Sequence, residues 1–422
     1  MIAASIAGLF LLYLLGSILF FNATPLDKRV TVPIQSSYNV TDPEFRRVSG
    51  IVAGRQWVDG NHIEVFEHGQ DVFEAMLDDI RAAEKSITKE TFIFMGDKVA
   101  TPFSEALAEA AGRGVNVHFI MDYIGSVFAT SEQLDTMHEA GVNIERWRKP
   151  SWYQIARFNH RTHKKLLVID GKVAYTGGVN TADSWVPDME DAGYKDYHFR
   201  LTGPIVNEVQ GAFSENWVAS RGELLSGDRY YAIPDTVGSL PMQVISSNPR
   251  EGQKRVRKML LHAIASASES IRIGTAYFFP DEEFIAALID AAERNVSITI
   301  LTPGEKIDQN YVRRASHTLL GDLLVAGIEM YEYQPTMYHT KLMVVDDYFV
   351  TIGSTNFDNR SFRLNDEANV NILDREFALT MSEHYDRDLI TSQPITLQDW
   401  QARPIRYKIY GWLIAKTIGA YL

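Results

Sequence analysis

The chain has no cysteine among its 422 residues, which excludes a disulfide, a thiolate metal site and a cysteine nucleophile. Positive charge is also short: 41 Lys and Arg stand against 54 Asp and Glu, a formal net charge of -13. Nucleic-acid affinity rests on a surplus of cations that neutralise phosphates, so this balance argues against a nucleic-acid partner. Long uncharged apolar runs are scarce, and the one that opens the chain, Ile2 to Phe21, carries no charge before Asp27. Its length is about the roughly 20 residues that cross a bilayer as a helix, so residues 1–26 read as a transmembrane anchor. A cleaved signal peptide is the rival reading. It lacks a basic leading region, and Asn22-Ala23-Thr24 is a poor cleavage site. Lys28, Arg29, Arg46 and Arg47 lean towards a cytoplasmic body, without fixing the side of the membrane.

Acidic residues are missing from the other end too. After Pro404 the tail IRYKIYGWLIAKTIGAYL interleaves Trp, Tyr and Ile with Arg406, Lys408 and Lys416. This mix suits a helix lying in a membrane interface, and a helix docked on the protein body is the alternative.

Between these ends, 45% hydrophobic content is ample for two packed domains. The chain repeats its element order. AAEKSITKETFIF, SEALAEAAGRGV and NVHFIMD recur as SASESIRIGTAYFF, EEFIAALIDAAERNV and SITILTP, each a strand, helix, strand series. Such alternation predicts an α/β fold of two similar lobes, each a mixed or parallel sheet flanked by helices, at about 50–230 and 240–395. The Gly, Pro, Asp and Ser-rich stretch GELLSGDRYYAIPDTVGSLP forms the expected joint, and residues 396–422 the tail.

Each half ends in the same motif: HKKLLVIDGKVAYTGGVN, His163 to Asn180, and HTKLMVVDDYFVTIGSTN, His339 to Asn356. The copies agree at His, Lys, Asp, Gly and Asn. Residues two apart on a strand share a face, so His163 and Lys165 project together, as do His339 and Lys341. Asp170-Gly171 and Asp346-Asp347 mark hairpin turns, and a two-residue loop returns Asn180 and Asn356 to the histidine face. The glycines before each Asn leave room for a substrate to approach the backbone.

Lys and Asn donors can hold phosphoryl oxygens, while two imidazoles supply a nucleophile and an acid, which is the equipment for cleaving a phosphodiester. Asp170 and Asp346 are counted with the catalytic motif, yet their odd separation from His puts them on the opposite face, in a role of turn and strand support. A nucleophilic imidazole also needs an acceptor for its second nitrogen. Asp196 in YKDYHFRL and Glu367 in LNDEANVNI occupy corresponding places and are the candidates. His160 and His163 are three apart, but no third ligand is indicated, so no metal is assigned. The aromatic groups Trp152, Tyr153, Phe158 and Tyr331, Tyr333, Tyr338 read as packing.

The paired His-x-Lys-x4-Asp motifs with Gly-x-x-Asn resemble the phospholipase D superfamily. KETFIF, HKKLLVIDGKVAYTGGVN, KDYHFRLTGPIV and GSTNFDNRSFRLNDEANV are similar to the bacterial cardiolipin synthases, in order from about residue 60 to 395. The resemblance implies a phosphatidyl transfer in two steps, with an active site between the lobes. His163 attacks the phosphodiester to form a phosphohistidine, and His339 protonates the leaving alcohol and then deprotonates the acceptor, although the reverse order is equally symmetric. Lys165, Lys341, Asn180 and Asn356 would bind the phosphoryl group, with no metal or other cofactor. It further implies phospholipid substrates, chiefly two phosphatidylglycerol molecules with release of glycerol, at a bacterial cell inner membrane. Many relatives carry two N-terminal spans or none, a departure that leaves the subtype open. Hydrolysis by the same site, a nuclease and a non-catalytic membrane scaffold are the competing readings.

Overall fold

The computed structural model describes residues 2–23, 34–149, 159–187, 192–249 and 254–422; Lys28, Arg29, Trp152, Tyr153 and Phe158 fall outside them. Its backbone is one fifteen-stranded mixed sheet, with the two halves arranged as mirrored lists about its centre. Outward from the centre the first half runs Val58–Phe66, His198–Thr202, Val173–Gly177, Leu166–Ile169, Ser86–Thr91, Asn116–Asp122 and Asn143–Trp147. The second runs Leu240–Ser247, Glu367–Leu373, Phe349–Gly353, Lys341–Val345, Ser270–Thr275, Ser297–Pro303 and Glu329–Tyr333, with Ser392–Pro394 added at its edge. In both halves the outer three repeated strands are parallel, as strand-helix-strand crossovers require, and the hairpin strands are antiparallel.

The α/β reading holds, but the halves are not two separate sandwiches. Val58–Phe66 pairs antiparallel with Leu240–Ser247, fusing the two sheets edge to edge. Each half would otherwise present an open edge with unpaired backbone groups, and the pairing removes both. Side chains alternate across the fused sheet. Leu166 and Val168, with Leu342 and Val344, enter one core shared by both halves beneath the helices Ile205–Arg221 and Arg375–Ile390. Leu167 and Ile169 point the other way, under Gly69–Ala82 and Thr101–Gly112. Met343 and Val345 do the same under Arg255–Ala265 and Glu282–Glu293.

The expected boundaries shift accordingly. Residue 50 lies inside the helix Pro43–Ala53, whose Phe45 stacks on His262 at 4.8 Å and is buried in the core of the second half. Nor is the stretch after Gly222 a free joint: Tyr230 is buried and its hydroxyl lies 2.8 Å from His118 Nε2.

At the chain ends, Ile2–Ala23 forms a helix whose described side chains are mostly exposed, Leu9, Phe10, Leu12 and Tyr13 among them. Among the described residues, no helix is long and apolar enough to cross a membrane. In the tail, Ile405–Ile418 is a helix docked on the body along one side. Tyr407 reaches His317 Nδ1 at 3.1 Å on the docked side, while Ile409, Trp412 and Leu413 remain about half exposed. The first helix runs alongside Gly419–Tyr421.

Candidate active site

The two motif histidines are held across the junction between the halves. His163 Nδ1 lies 3.0 and 3.1 Å from the two oxygens of Glu367, a residue of the second half. His339 Nδ1 lies 2.7 Å from Oδ2 of Asp196, a residue of the first. The backbone repeats the exchange: His163 N–H donates to Asp366 O at 2.8 Å and His339 N–H to Lys195 O at 2.7 Å. Neither half alone therefore contains a complete histidine-carboxylate pair. In both pairs the carboxylate takes Nδ1–H, which leaves Nε2 as the reactive nitrogen.

Lys165 and Lys341 lie beside their histidines, as the two-residue spacing predicts. Lys165 Nζ donates to His163 O at 2.7 Å. Lys341 Nζ donates to His339 O and also sits 2.8 Å from His339 Nδ1. One ring nitrogen cannot donate to Asp196 and accept from Lys341 at once. The carboxylate is the stronger acceptor and matches the arrangement of the other half, so the ammonium rests on the carbonyl.

Both asparagines are buried with an unpaired amide atom, Nδ2 of Asn180 and Oδ1 of Asn356. Asn180 Oδ1 accepts from Ile93 N at 3.1 Å, which turns its NH2 free. The amide orientation of Asn356 can be reversed to the same effect. The route to these positions differs from the expected two-residue hairpin. Asp170 and Gly171 are both left-handed, at φ 53 and 63, but pairing resumes only at Ile169 with Val173, one residue later. The second copy does the same, with Asp346 and Asp347 at φ 53 and 44 and Val345 opposite Phe349. The ladder ends before His163 and Asn180, so its register does not carry Asn180 to the face of His163.

The motif glycines serve the protein's own backbone instead of a substrate. A Cβ on Gly177 would lie 2.6 Å from Tyr197 O, and one on Gly353 would lie 2.3 Å from Ala368 O. On Gly178 it would strike Asp196 Oδ1 at 2.1 Å. Absent side chains thus let the carboxylate-bearing segments close onto the histidines.

Asp170 and Asp346 do not join the reaction centre, a correction to their place in the catalytic motif. Asp170 accepts from the backbone N–H groups of Glu84, Lys85 and Ser86 at 3.0, 2.7 and 2.9 Å. Asp346 accepts from Ser268, Glu269 and Ser270 N–H at 2.8, 2.8 and 2.9 Å, and from Ser268 Oγ at 2.8 Å. Each ties its hairpin turn to the start of the neighbouring strand. His160 Nδ1 approaches Leu364 O at 3.3 Å. Tyr333 and Tyr338 pack together at 5.1 Å inside the shared core, as packing residues do.

Residues 76–217 and 260–389 match the family described as cardiolipin synthase, PLD-like domain. The chain belongs to this family. It is 32% identical to Cardiolipin synthase of Oceanobacillus iheyensis over 83% of this chain and 74% of that protein. Identity is also 32% to Major cardiolipin synthase ClsA of Bacillus subtilis, over 84% of this chain and 74% of the relative. Among solved structures, phosphatidylserine synthase of Haemophilus influenzae is similar in fold, with a TM-score of 0.71 and 11% identity, covering 90% of this chain and 100% of that one.

Several residues packed around the two histidines escaped sequence reasoning. Trp185 donates Nε1–H to Asp196 Oδ2 at 3.1 Å and meets the His339 ring edge-on at 5.0 Å. Ser354 Oγ donates to Glu367, and Phe92 lies edge-on to His163 at 5.3 Å. Ser354 could have been found by alignment, since it stands where the first copy has Gly178. Trp185 has no counterpart to signal it.

Burial dominates the electrostatics. It lowers His163 to about 4 against the pull of Glu367, and lowers His339 well below the ordinary histidine value, helped by the Lys341 charge. It also brings Lys341 down to about 8 and Lys165 well below the usual ammonium range. The carboxylates diverge. Burial pushes Asp196 up to about 6, whereas at Glu367 the same push is outweighed by His163 and Lys165, leaving that group below its usual value.

Proposed function

We propose that the protein transfers a phosphatidyl group through a phosphohistidine, making cardiolipin and glycerol from two phosphatidylglycerol molecules. The observation that carries this reading is the crossed pair of histidine-carboxylate contacts, His163 to Glu367 and His339 to Asp196. It gives two imidazoles with their Nε2 atoms free, flanked by two ammoniums and two asparagine amides able to hold non-bridging phosphoryl oxygens.

The two pairs are suited to different tasks. Glu367 stays ionised and fixes His163 as a neutral, Nδ1-protonated imidazole, the form that attacks phosphorus. Asp196, near 6, gives the His339 pair a proton affinity closer to neutral pH, which suits an acid that later becomes a base. An arriving phosphodiester anion favours a proton on this pair and offsets the burial penalty on both lysines. His163 Nε2 then forms the bond to phosphorus as the alcohol oxygen leaves with the proton of His339. In the second step the acceptor hydroxyl gives its proton to His339, its oxygen attacks phosphorus, and the nitrogen-phosphorus bond breaks. These steps use side chains already present and call on no metal.

The lipid substrates place the work at a bacterial cell membrane. In this reading the apolar helix Ile2–Ala23 associates with that membrane, and the exposed Ile409, Trp412 and Leu413 face rests on the same bilayer. Incubation with phosphatidylglycerol vesicles tests the function: cardiolipin with an equal amount of glycerol supports it, and phosphatidic acid as the sole lipid product sinks it.

A further inference from the structure

The two halves supply matching His, Lys and Asn residues, but one side of the site carries cations that the other lacks. Arg161 stands two residues before His163, as His163 stands two before Lys165. These three share a face, because the intervening Thr162 and Lys164 turn inward to Glu90 and Ala212 O. Phe92 confirms the alignment: its ring lies 5.7 Å from the Arg161 guanidinium, 5.6 Å from Lys165 Nζ and 5.3 Å from the His163 ring. In the second half the place of Arg161 is taken by Met337, which is buried.

Among the described residues, the Arg161 guanidinium makes no hydrogen bond or ion pair, and its Nε is shielded from solvent. The carboxylate it feels most is Asp122, already engaged by the backbone N–H groups of Ile124, Gly125 and Thr162. A second guanidinium adds to the imbalance. Arg360, held by Asn159 and by Tyr421 O, is buried enough to fall to about 10, and the Arg161 charge contributes to that fall. Arg360 has the Asp358 charge nearby, but Arg161, partly desolvated and without a hydrogen-bonded carboxylate, costs free energy unless an anion joins it.

We propose that Arg161 and Arg360 form a second anion subsite beside the reacting phosphoryl position, and that it takes the phosphodiester of the acceptor lipid. The inference rests on the transfer reading given above. That reaction joins two lipids that each carry a phosphodiester, yet only one phosphorus is attacked, so the other needs a cationic place of its own. A planar guanidinium matches a phosphate bidentately and is the residue type suited to this task.

Partitioning of the covalent intermediate tests the subsite. Vesicles of phosphatidylglycerol are supplied with 1-butanol, and cardiolipin and phosphatidylbutanol are measured together. Both products arise from the same intermediate, so their ratio reports on the acceptor alone. Arg161→Gln is expected to lower the cardiolipin to phosphatidylbutanol ratio at least ~10-fold while phosphatidylbutanol formation persists. Arg161→Lys, which keeps the charge, should recover part of the ratio. An unchanged ratio, or a parallel loss of both products, overturns the subsite and leaves the transfer reading intact. Failure of the unaltered protein to form either product overturns the transfer reading itself, and the subsite with it.

Discussion

The halves of the site differ most in how they hold their histidines. On one side Glu367 grips His163 with both oxygens and is itself held by Ser354 and Asn365. On the other the shorter Asp196 meets His339 with one oxygen, and the Trp185 indole and Tyr197 N–H complete its shell. The repeat has therefore kept the two imidazoles while giving them carboxylates of different length, partners and proton affinity. A symmetric frame thereby serves a reaction that needs unlike groups, one nucleophile and one acid.

Removing either imidazole is the harshest test of this comparison. His163→Ala or His339→Ala should each lower turnover by ~10³-fold or more, measured as cardiolipin formation. Normal turnover in the double variant would end the enzymatic account. Replacing the carboxylates separates the halves at a milder level. Glu367→Gln and Asp196→Asn should each cost ~10²-fold or more, because each leaves an imidazole without a charged acceptor across the junction. Their pH profiles should part company. With His163 neutral down to about 4, activity of the unaltered protein holds on the acid side well below the ordinary histidine value. Glu367→Gln removes the pull that raises His163 and should move the acid limb lower still.

The motif aspartates separate structure from chemistry. Asp170→Ala leaves three backbone N–H donors without their acceptor and should lower unfolding stability by ~3 kcal/mol, read from denaturant midpoints, with turnover per folded molecule retained. A loss of turnover without a loss of stability would return Asp170 to the reaction.

The smallest expected effect lies behind the site. His198 is buried with both ring nitrogens unpaired and is driven by burial to about 3, whereas its counterpart Asn369 is satisfied by Thr355 and Thr351. Here the folded value lies below the unfolded one of about 6.5, so the unfolded chain takes up the proton first and stability falls as pH drops through that value. His198→Asn removes this penalty and should gain on the unaltered protein by ~2 kcal/mol between pH 7 and 5. A constant difference across that range would show that His198 is already protonated or solvated.

Much of this was legible in the chain. The repeat gave two similar strand-helix-strand halves, and period-two spacing put His163 beside Lys165 and His339 beside Lys341. Asp196 and Glu367 were found by matching positions after each hairpin. Their crossing was not, since nothing in a linear repeat says that a residue serves the other copy. The fused sheet escaped for the same reason: the Val58–Phe66 and Leu240–Ser247 edges are far apart in sequence, and their pairing is a tertiary event. Gly177, Gly178 and Gly353 signalled a close approach that was read as a substrate's, and the answer is a backbone and a carboxylate. The hairpin loops were misjudged by one residue because a left-handed Asp-Gly or Asp-Asp pair closes a tight turn with or without a following bulge.

The most direct test of the crossed site is to quench the protein during turnover on labelled phosphatidylglycerol and locate the covalent phosphoryl group by peptide mapping. The account predicts an adduct on His163. An adduct on His339 would contradict the division of labour between the two halves, and the absence of any phosphohistidine would contradict the covalent mechanism.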